Sequence, residues 1–314
     1  VPLLRIFTNK RILVDEGRRK VLGACVLYML LMSSAVSVAE AKDTEISAEM
    51  VPTSGLTGSG LTGRGLIEGA GQIVIAELLE HIDHLWRGTT SHARMSMTVK
   101  TARYTRALSL EAWSLGSDYS LVVIRRPLKD RGVATLKVGV NIWNYLPRID
   151  RVTKIPTSMM SGAWMGSHFT NDDLVKESTF TEDYFADYVA EIPVSALTGL
   201  TKEMTSRSPS DVALHIRAVP KPDAHVVWGH VELWVHAQDY YPLKMAYFDE
   251  ATELVRTLYF DEIKRVGGRM IPMRLRLQPR AHPNESTQIR YEEITFDERI
   301  SKNFFSLQSL KNRK

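Results

Sequence analysis

From Ser91 onward the chain is dominated by short runs in which apolar and polar residues alternate with period two. Met95, Met97 and Val99 alternate with Ser96, Thr98 and Lys100. Ala134, Leu136 and Val138 repeat the pattern. So do Val227, Val231, Leu233 and Val235, with Gly229 between them on the same face. Leu243, Met245 and Tyr247 continue it, and Met273, Leu275 and Leu277 alternate with arginines. A strand turns successive side chains to opposite faces. Runs of this kind, each bounded by Gly, Pro or Asp, encode a large, mostly antiparallel sheet with one dry and one wet face. Ile289 and Tyr291 lie on one phase, whereas Ile294 and Phe296 lie on the other. That change predicts a bulge at Glu292-Glu293.

Few segments depart from the pattern. Ile75, Leu78, Leu79, Ile82 and Trp86 recur at three- and four-residue spacing and predict a helix over Ile73–Trp86. Pro156–Gly166 packs Met159, Met160, Trp164 and Met165 between Pro, Ser and Gly. Thr170-Asn-Asp-Asp173 supplies an N-cap and an acidic first turn for a short helix through Lys176. No internal repeat and no clean boundary follows residue 75, so residues 73–314 read as one domain.

The 40 Lys+Arg against 36 Asp+Glu suggest a nucleic-acid or membrane partner only until their positions are considered. Residues 1–41 hold six basic and three acidic residues, which leaves a net +1 on the remainder. A nucleic-acid partner therefore loses its main support. Arg18-Arg19-Lys20, the apolar Val21–Met32 and the small-residue stretch ending Ala39-Glu40-Ala41 have the order of a secretory signal peptide. The expectation is a signal peptide over 1–41, cleaved after Ala41, with the Val at position 1 placing the true start further in. A retained anchor is the rival reading, since Val21–Ala39 carries no charge. The single cysteine, Cys25, lies in this leader. A processed chain would then lack disulfides, thiolate metal sites and a Cys nucleophile. Residues 42–72, rich in Gly and Ser, read as a flexible linker; no Lys-Ser/Thr closes them into a phosphate loop.

Candidate chemistry is sparse. His81-x-Asp83-His84 could share a helix face but lacks a third metal ligand, and solvated helix polars are the better reading. His230, Glu232 and His236 share a strand face with Trp228 and Trp234, which reads as a satisfied polar face before a metal or acid/base site. Nucleophile elbow, zinc-protease, dinucleotide and P-loop motifs are missing from the sequence. The expectation is a non-enzyme with no catalytic residue, metal or cofactor. The Met–Trp cluster is open to two readings: core filling beneath a loop, or a flexible apolar surface across a barrel mouth.

Four stretches carry a resemblance. They are Leu-Trp-Arg-Gly-Thr-Thr-Ser (85–91), Pro-Leu-Lys-Asp-Arg-Gly-Val-Ala-Thr-Leu-Lys-Val-Gly (127–139), Asn-Ile-Trp-Asn-Tyr-Leu-Pro-Arg-Ile-Asp-Arg-Val-Thr-Lys-Ile-Pro (141–156) and Trp-Met-Gly-Ser-His-Phe-Thr-Asn-Asp-Asp-Leu-Val (164–175). Together with Val-Pro-Lys-Pro-Asp-Ala-His-Val-Val-Trp-Gly (219–229), they resemble the outer-membrane lipoprotein-sorting protein family of the LolA/LolB-like superfamily. The resemblance implies a mainly β fold with a few α-helices: a strongly curved antiparallel sheet forming an unclosed barrel with a helix and loop lid. It further implies a periplasmic carrier whose apolar cavity shields acyl chains of a lipoprotein or another lipid. Such a carrier would pass cargo between an inner-membrane transporter and an outer-membrane acceptor. The rival is an adaptor of a lipid-export or efflux transporter with no cavity of its own.

Strand phase and the loop cluster nominate cavity or lid residues: Met95, Met97, Leu136, Ile142, Leu146, Met159, Met160, Trp164, Met165 and Leu233. Arg148, Asp150, Arg151 and Lys154 form either a polar rim for a head group or partner, or a structural salt-bridge set.

Overall fold

The computed structural model describes residues 71–175, 180–206, 210–224 and 226–312. The expected leader and nearly all of the expected linker lie outside these residues, as does His225. The strands are β1 (Thr90–Lys100), β2 (Thr105–Leu115), β3 (Tyr119–Arg126), β4 (Ala134–Val138), β5 (Asn141–Leu146), β6 (Arg151–Lys154), β7 (Tyr184–Pro193), β8 (Val212–Pro220), β9 (His230–His236), β10 (Pro242–Phe248), β11 (Leu254–Val266), β12 (Arg269–Pro279) and β13 (Ser286–Phe296). The short helices are α1 (Gly71–His84), α2 (Asn171–Val175), α3 (Phe180–Asp183), α4 (Lys202–Thr205) and α5 (Leu307–Asn312).

All 13 strands join one sheet in the order β6-β5-β4-β3-β2-β1-β13-β12-β11-β10-β9-β8-β7. Two meanders, β1–β6 and β7–β13, are stitched together by antiparallel pairing of β1 with β13. The sheet ends in two edges, β6 and β7, so it is not a closed barrel. In the β1/β13 register Arg94 pairs with Glu293 and Met95 with Tyr291, which leaves Glu292 unpaired. That is the bulge expected from the change of phase. It returns Ile289, Tyr291 and Ile294 to one face of the sheet.

The chain crosses from one sheet edge to the other between β6 and β7. The described parts of this connection, residues 155–175 and 180–183, form a strap that includes α2 and α3 and is fixed to strands far apart in the sheet. The Trp164 Nε1–H donates to Thr135 Oγ1 on β4 at 3.2 Å. His168 Nδ1 is 2.8 Å from Thr287 Oγ1 on β13. Arg256 on β11 donates through both terminal nitrogens to the Asp173 carboxylate, at 2.8 and 2.5 Å. Thr170 is the expected cap: its Oγ1 accepts from the Asp173 N–H at 3.2 Å, and Asp173 accepts from the Thr170 N–H at 2.7 Å. These reciprocal bonds define the capping box that starts α2.

On the concave face α1 covers the β7–β9 end by burying Leu78, Leu79 and Ile82 against Ile216, Leu233 and Val235. Each such side chain contributes about 1.5–3 kcal/mol on leaving water. The convex face is also covered in two places. Phe305 and Leu310, on the C-terminal segment with α5, pack on Leu121, Val123, Leu136 and Tyr145. Elsewhere Arg276 donates to the Gly199 carbonyl at 2.8 Å and stacks on Tyr259, holding the segment before α4 against the sheet. The expectation of one wet face is therefore corrected: this sheet is partly dry on both sides.

Candidate functional site

Beneath the strap lies a cavity of about 260 Å³. Lys137 on β4 and Met245 on β10 both line it, although seven strand-to-strand steps separate them in the sheet order. In a flat sheet those steps would span about 34 Å. The sheet must therefore curl around the space. The wall contains Met95, Phe260, Leu275, Leu277, Ile289 and Tyr291 from the central strands, with Trp86 and Trp164 closing it from α1's end and from the strap.

The wall also carries polar groups, among them the charged side chains of Asp83, Arg87, Lys137, Asp172, Asp173 and Arg256. Arg256 is buried between the rings of Trp228 and Tyr247, with its guanidinium carbon 4.4 and 4.5 Å from their centroids. Stacking and the Asp173 pairing together allow a full charge to sit in this wall. Asp83 is only 8% exposed, and its Oδ2 has no hydrogen-bond partner. Burial pushes its carboxyl up to about 7, against the opposing pull of Arg87 and of backbone N–H groups at Phe180 and Thr181. Burial likewise raises the Tyr184 hydroxyl. Ser91 and Ser114 face each other across β1 and β2 with their hydroxyls 2.7 Å apart. Lys137 is 5% exposed.

Of the ten nominated cavity residues, Met95 and Trp164 line the cavity. Met97 and Ile142 share the concave phase but are buried beyond the cavity wall. Leu233 also faces inward, beneath α1, which fills that part of the concavity. Leu136 faces the convex side, and Thr135 and Lys137 take the inward positions on β4. Its assignment by strand phase is corrected because the C-terminal segment dries the opposite face there. Leu146 is 43% and Met159 59% exposed, away from the wall. Met160 and Met165 are half-buried within the strap and do not line the cavity. The Met165 carbonyl accepts from Arg106 Nη1 at 2.9 Å.

Arg148, Asp150, Arg151 and Lys154 are exposed near the β6 edge, outside the cavity lining. Asp150 accepts from the Tyr145 hydroxyl at 3.0 Å and from Lys311 Nζ at 3.1 Å. Lys154 lies over Trp143 at 5.8 Å. Asp150 thus joins the edge hairpin to α5.

The histidine face is also resolved. His230 stacks on Phe248, His215 on Trp234 and His236 on Tyr241. Glu232 lies 3.9 Å from His230 and 3.4 Å from His215, whereas His236 turns toward Asp211 and Asp239. The three residues nominated from sequence do not converge on one point. Trp228 leaves this face altogether and packs in the cavity. Likewise, Asp83 is not a solvated helix polar; it belongs to the cavity wall, unlike the exposed His84. No group of three or more His, Cys, Asp or Glu side chains among the described residues could hold a metal.

Sequence phase identified one side of individual strands but missed Arg256, Asp83, Lys137 and Tyr291. The sequence signal for Arg256 was slight: a lone arginine in an otherwise apolar strand start, Leu254-Val255-Arg256-Thr257-Leu258.

A curled, unclosed antiparallel sheet with a strap over an apolar hollow is the LolA-like architecture, and the resemblance read from the sequence holds at the level of this fold. A family model described as "Uncharacterized protein" matches residues 116–312, more than half of the chain, and the chain belongs to that family. A DUF1329 family protein from Desulfovibrio piger superposes with a TM-score of 0.65 at 20% identity, covering 76% of this chain and 98% of that one. An outer membrane lipoprotein-sorting protein domain from Vibrio parahaemolyticus gives 0.62 at 23% identity, covering 77% and 99%. A LolA superfamily protein from Nitrosomonas europaea gives 0.59 at 17%, covering 74% and 97%. No curated protein matches the sequence.

Proposed function

We propose that this protein is a periplasmic carrier that shields an acyl chain of a lipoprotein or another hydrophobic cargo and delivers it towards the outer membrane. The observation that carries the reading is the strap-covered cavity of about 260 Å³ with its apolar wall, set in a LolA-like sheet. Each buried CH₂ contributes about 0.8 kcal/mol, so eight methylenes would supply about 6 kcal/mol without covalent chemistry. Ligand sites commonly measure about 300–1,000 Å³. The present volume is just below that range, so it suits one chain segment, and a multi-acyl cargo requires the strap to lift. Hand-over then needs only a receiver that favours the opened state. An inner-membrane transporter and an outer-membrane acceptor are the partners this cycle calls for. The signal-peptide pattern of residues 1–41 and the lipoprotein-sorting relative support the periplasmic placement.

Native mass spectrometry of the protein purified from its own envelope without detergent tests the reading. A co-purifying lipid or lipopeptide, removed by organic extraction, is expected. A bare polypeptide mass that also takes up no acyl probe would overturn it and favour an adaptor role.

A further inference from the structure

Two hairpin tips stand side by side at one end of the first meander. Ala134, Tyr145 and Val152 continue from Val123 as one row across β3, β4, β5 and β6. The β3–β4 turn leaves the sheet above that row after Arg126, and the β5–β6 turn does so after Leu146. Two strand spacings, about 10 Å, separate the tips. Each holds a large apolar side chain in water: Leu128 is 80% and Ile149 64% exposed. Single exposed apolar residues are ordinary on a protein surface. These two differ in what surrounds them. Exposed Arg126, Lys129 and Arg131 flank Leu128, and exposed Arg148 and Arg151 flank Ile149. The carboxylates of the two turns are already engaged, Asp130 by Arg106 Nη2 at 3.0 Å and Asp150 by Lys311 Nζ at 3.1 Å. The five flanking cations form no ion pair among the described residues. Residues 42–314 carry a net charge of only +1, so this is a local excess. The β10–β11 turn, at the same end of the other meander, carries Asp249, Glu250 and Glu253 instead.

We infer that the β3–β4 and β5–β6 tips form a docking surface for an anionic lipid bilayer, with Leu128 and Ile149 entering the head-group layer and the flanking cations meeting lipid phosphates. An apolar tip alone would suit any apolar partner, and a cation cluster alone would suit any anion. Joined on one pair of tips they match a bilayer interface, which presents hydrocarbon behind a layer of negative charge. Long Lys and Arg stems let the charges stay at phosphate level while the apolar side chains go deeper. Both tips lie outside the cavity lining, so this surface goes beyond the carrier reading and does not depend on it. One side chain links it to the cover of the cavity. Arg106 holds Asp130 of the β3–β4 turn through Nη2 and donates through Nη1 to the Met165 carbonyl on the strap at 2.9 Å. A bilayer met at Leu128 therefore stands next to the strap.

The test locates the contact by tryptophan quenching in the full chain. Leu128→Trp is mixed with vesicles whose lipids carry brominated acyl chains, made either of phosphatidylcholine alone or of an equal mixture with phosphatidylglycerol. Val140→Trp is the control, because Val140 is 76% exposed on the β4–β5 turn at the opposite end of the same meander. Relative to the parent protein, Leu128→Trp should gain quenched fluorescence in the mixed vesicles and Val140→Trp should not. Each cation near an anionic surface contributes about a fivefold gain in partitioning, so Leu128→Trp should need about a hundredfold less of the mixed lipid than of phosphatidylcholine. Added salt should weaken the effect. Lys129→Gln, Arg131→Gln, Arg148→Gln and Arg151→Gln, introduced together, should remove that preference with the melting temperature unchanged, since all four side chains are exposed. Equal quenching at the two ends, equal quenching by the two vesicles, or a preference that survives the four glutamines would each overturn the docking surface. Absence of quenching in both vesicles would also overturn it and assign the cations to an acidic protein partner. Any of these failures leaves the carrier reading standing, because the tips lie outside the cavity.

Discussion

Replacing Asp83 by Asn should change how stability depends on pH in a way that can be calculated. In the folded protein, burial raises the Asp83 carboxyl from its ordinary 3.8 to about 7. The folded state consequently binds its proton more tightly than the unfolded state does. Below pH 3.8 both states are protonated and the group costs nothing. Between 3.8 and 7 the unfolded chain ionises while the folded chain holds its proton, so stability falls as pH rises. Above 7 both are ionised and the loss is complete. A shift of about three units corresponds to about 4 kcal/mol of lost stability at pH 8. Asn is nearly isosteric and cannot ionise, and its amide oxygen can still accept from the Phe180 and Thr181 N–H groups. Asp83→Asn should therefore match the wild type near pH 3.5 and exceed it by about 4 kcal/mol at pH 8, or about 10 °C in melting temperature for a domain of this size. Urea unfolding of both proteins from pH 3.5 to 8 measures the difference directly. Arg87 and Glu182, the charged neighbours, remain in both proteins, as do other shifted carboxylates such as Asp261 and Glu285, so their contributions largely cancel. A difference that stays constant across this pH range, or that shrinks as pH rises, would refute the argument that this carboxyl is desolvated.

Three further outcomes follow from the packing. Asp173→Ala leaves the Arg256 guanidinium buried and unpaired and removes a cap of α2; it should cost about 3–5 kcal/mol, read by urea unfolding at pH 7. Gly199→Ala places a methyl carbon 2.3 Å from the Tyr259 ring at a φ of +88°. It should cost about 2–4 kcal/mol, and removal of the ring in Tyr259→Ala should relieve the clash part of that in a double-mutant cycle. Ala112→Phe should fill the cavity in front of Met95 and weaken uptake of a fluorescent acyl probe by about tenfold or more, with the far-ultraviolet dichroism unchanged.

Strand composition and strand phase were legible because alternation is local. Met95 and Met97 could be assigned to one face by counting, and the bulge near Glu292 by the slip between Tyr291 and Ile294. The α2 cap at Thr170 was legible for the same reason: its partners lie three residues apart. Which face of each strand is concave was not legible. Leu136 is apolar and alternates with Thr135 and Lys137, so phase alone turns it inward. In the fold, Phe305 and Leu310 arrive from far along the chain and give Leu136 a dry convex site. The histidine strands show the same covering, in keeping with the reading of a satisfied polar face. His215, His230 and His236 face outward, yet each is stacked on an aromatic ring and withdrawn from water. A polar residue marks a wet face only where nothing else covers it.

The serines of the cavity wall, which the β1–β4 register brings into one row with Lys137, show why a one-dimensional reading cannot reach the site. Ser91, Ser114, Ser120 and Lys137 are unremarkable along the chain, where each sits beside residues of the opposite face. Their common property exists only perpendicular to the strands, once β1, β2, β3 and β4 are in register. A one-residue slip of β3 against β2 would turn Ser120 and Val122 outward and bring Leu121 and Val123 in, because side-chain direction has period two. That row and the adjacent one of Ala93, Ala112 and Val122 would both be broken. The bulges near Ser109 and Arg94 interrupt the ladders beside these rows but leave the register from Ser91 to Ala93 and from Ala112 to Ser114 intact. Sheet register, set by pairing over the whole length of these strands, is therefore what gathers scattered serines and one lysine into a single row of the cavity wall.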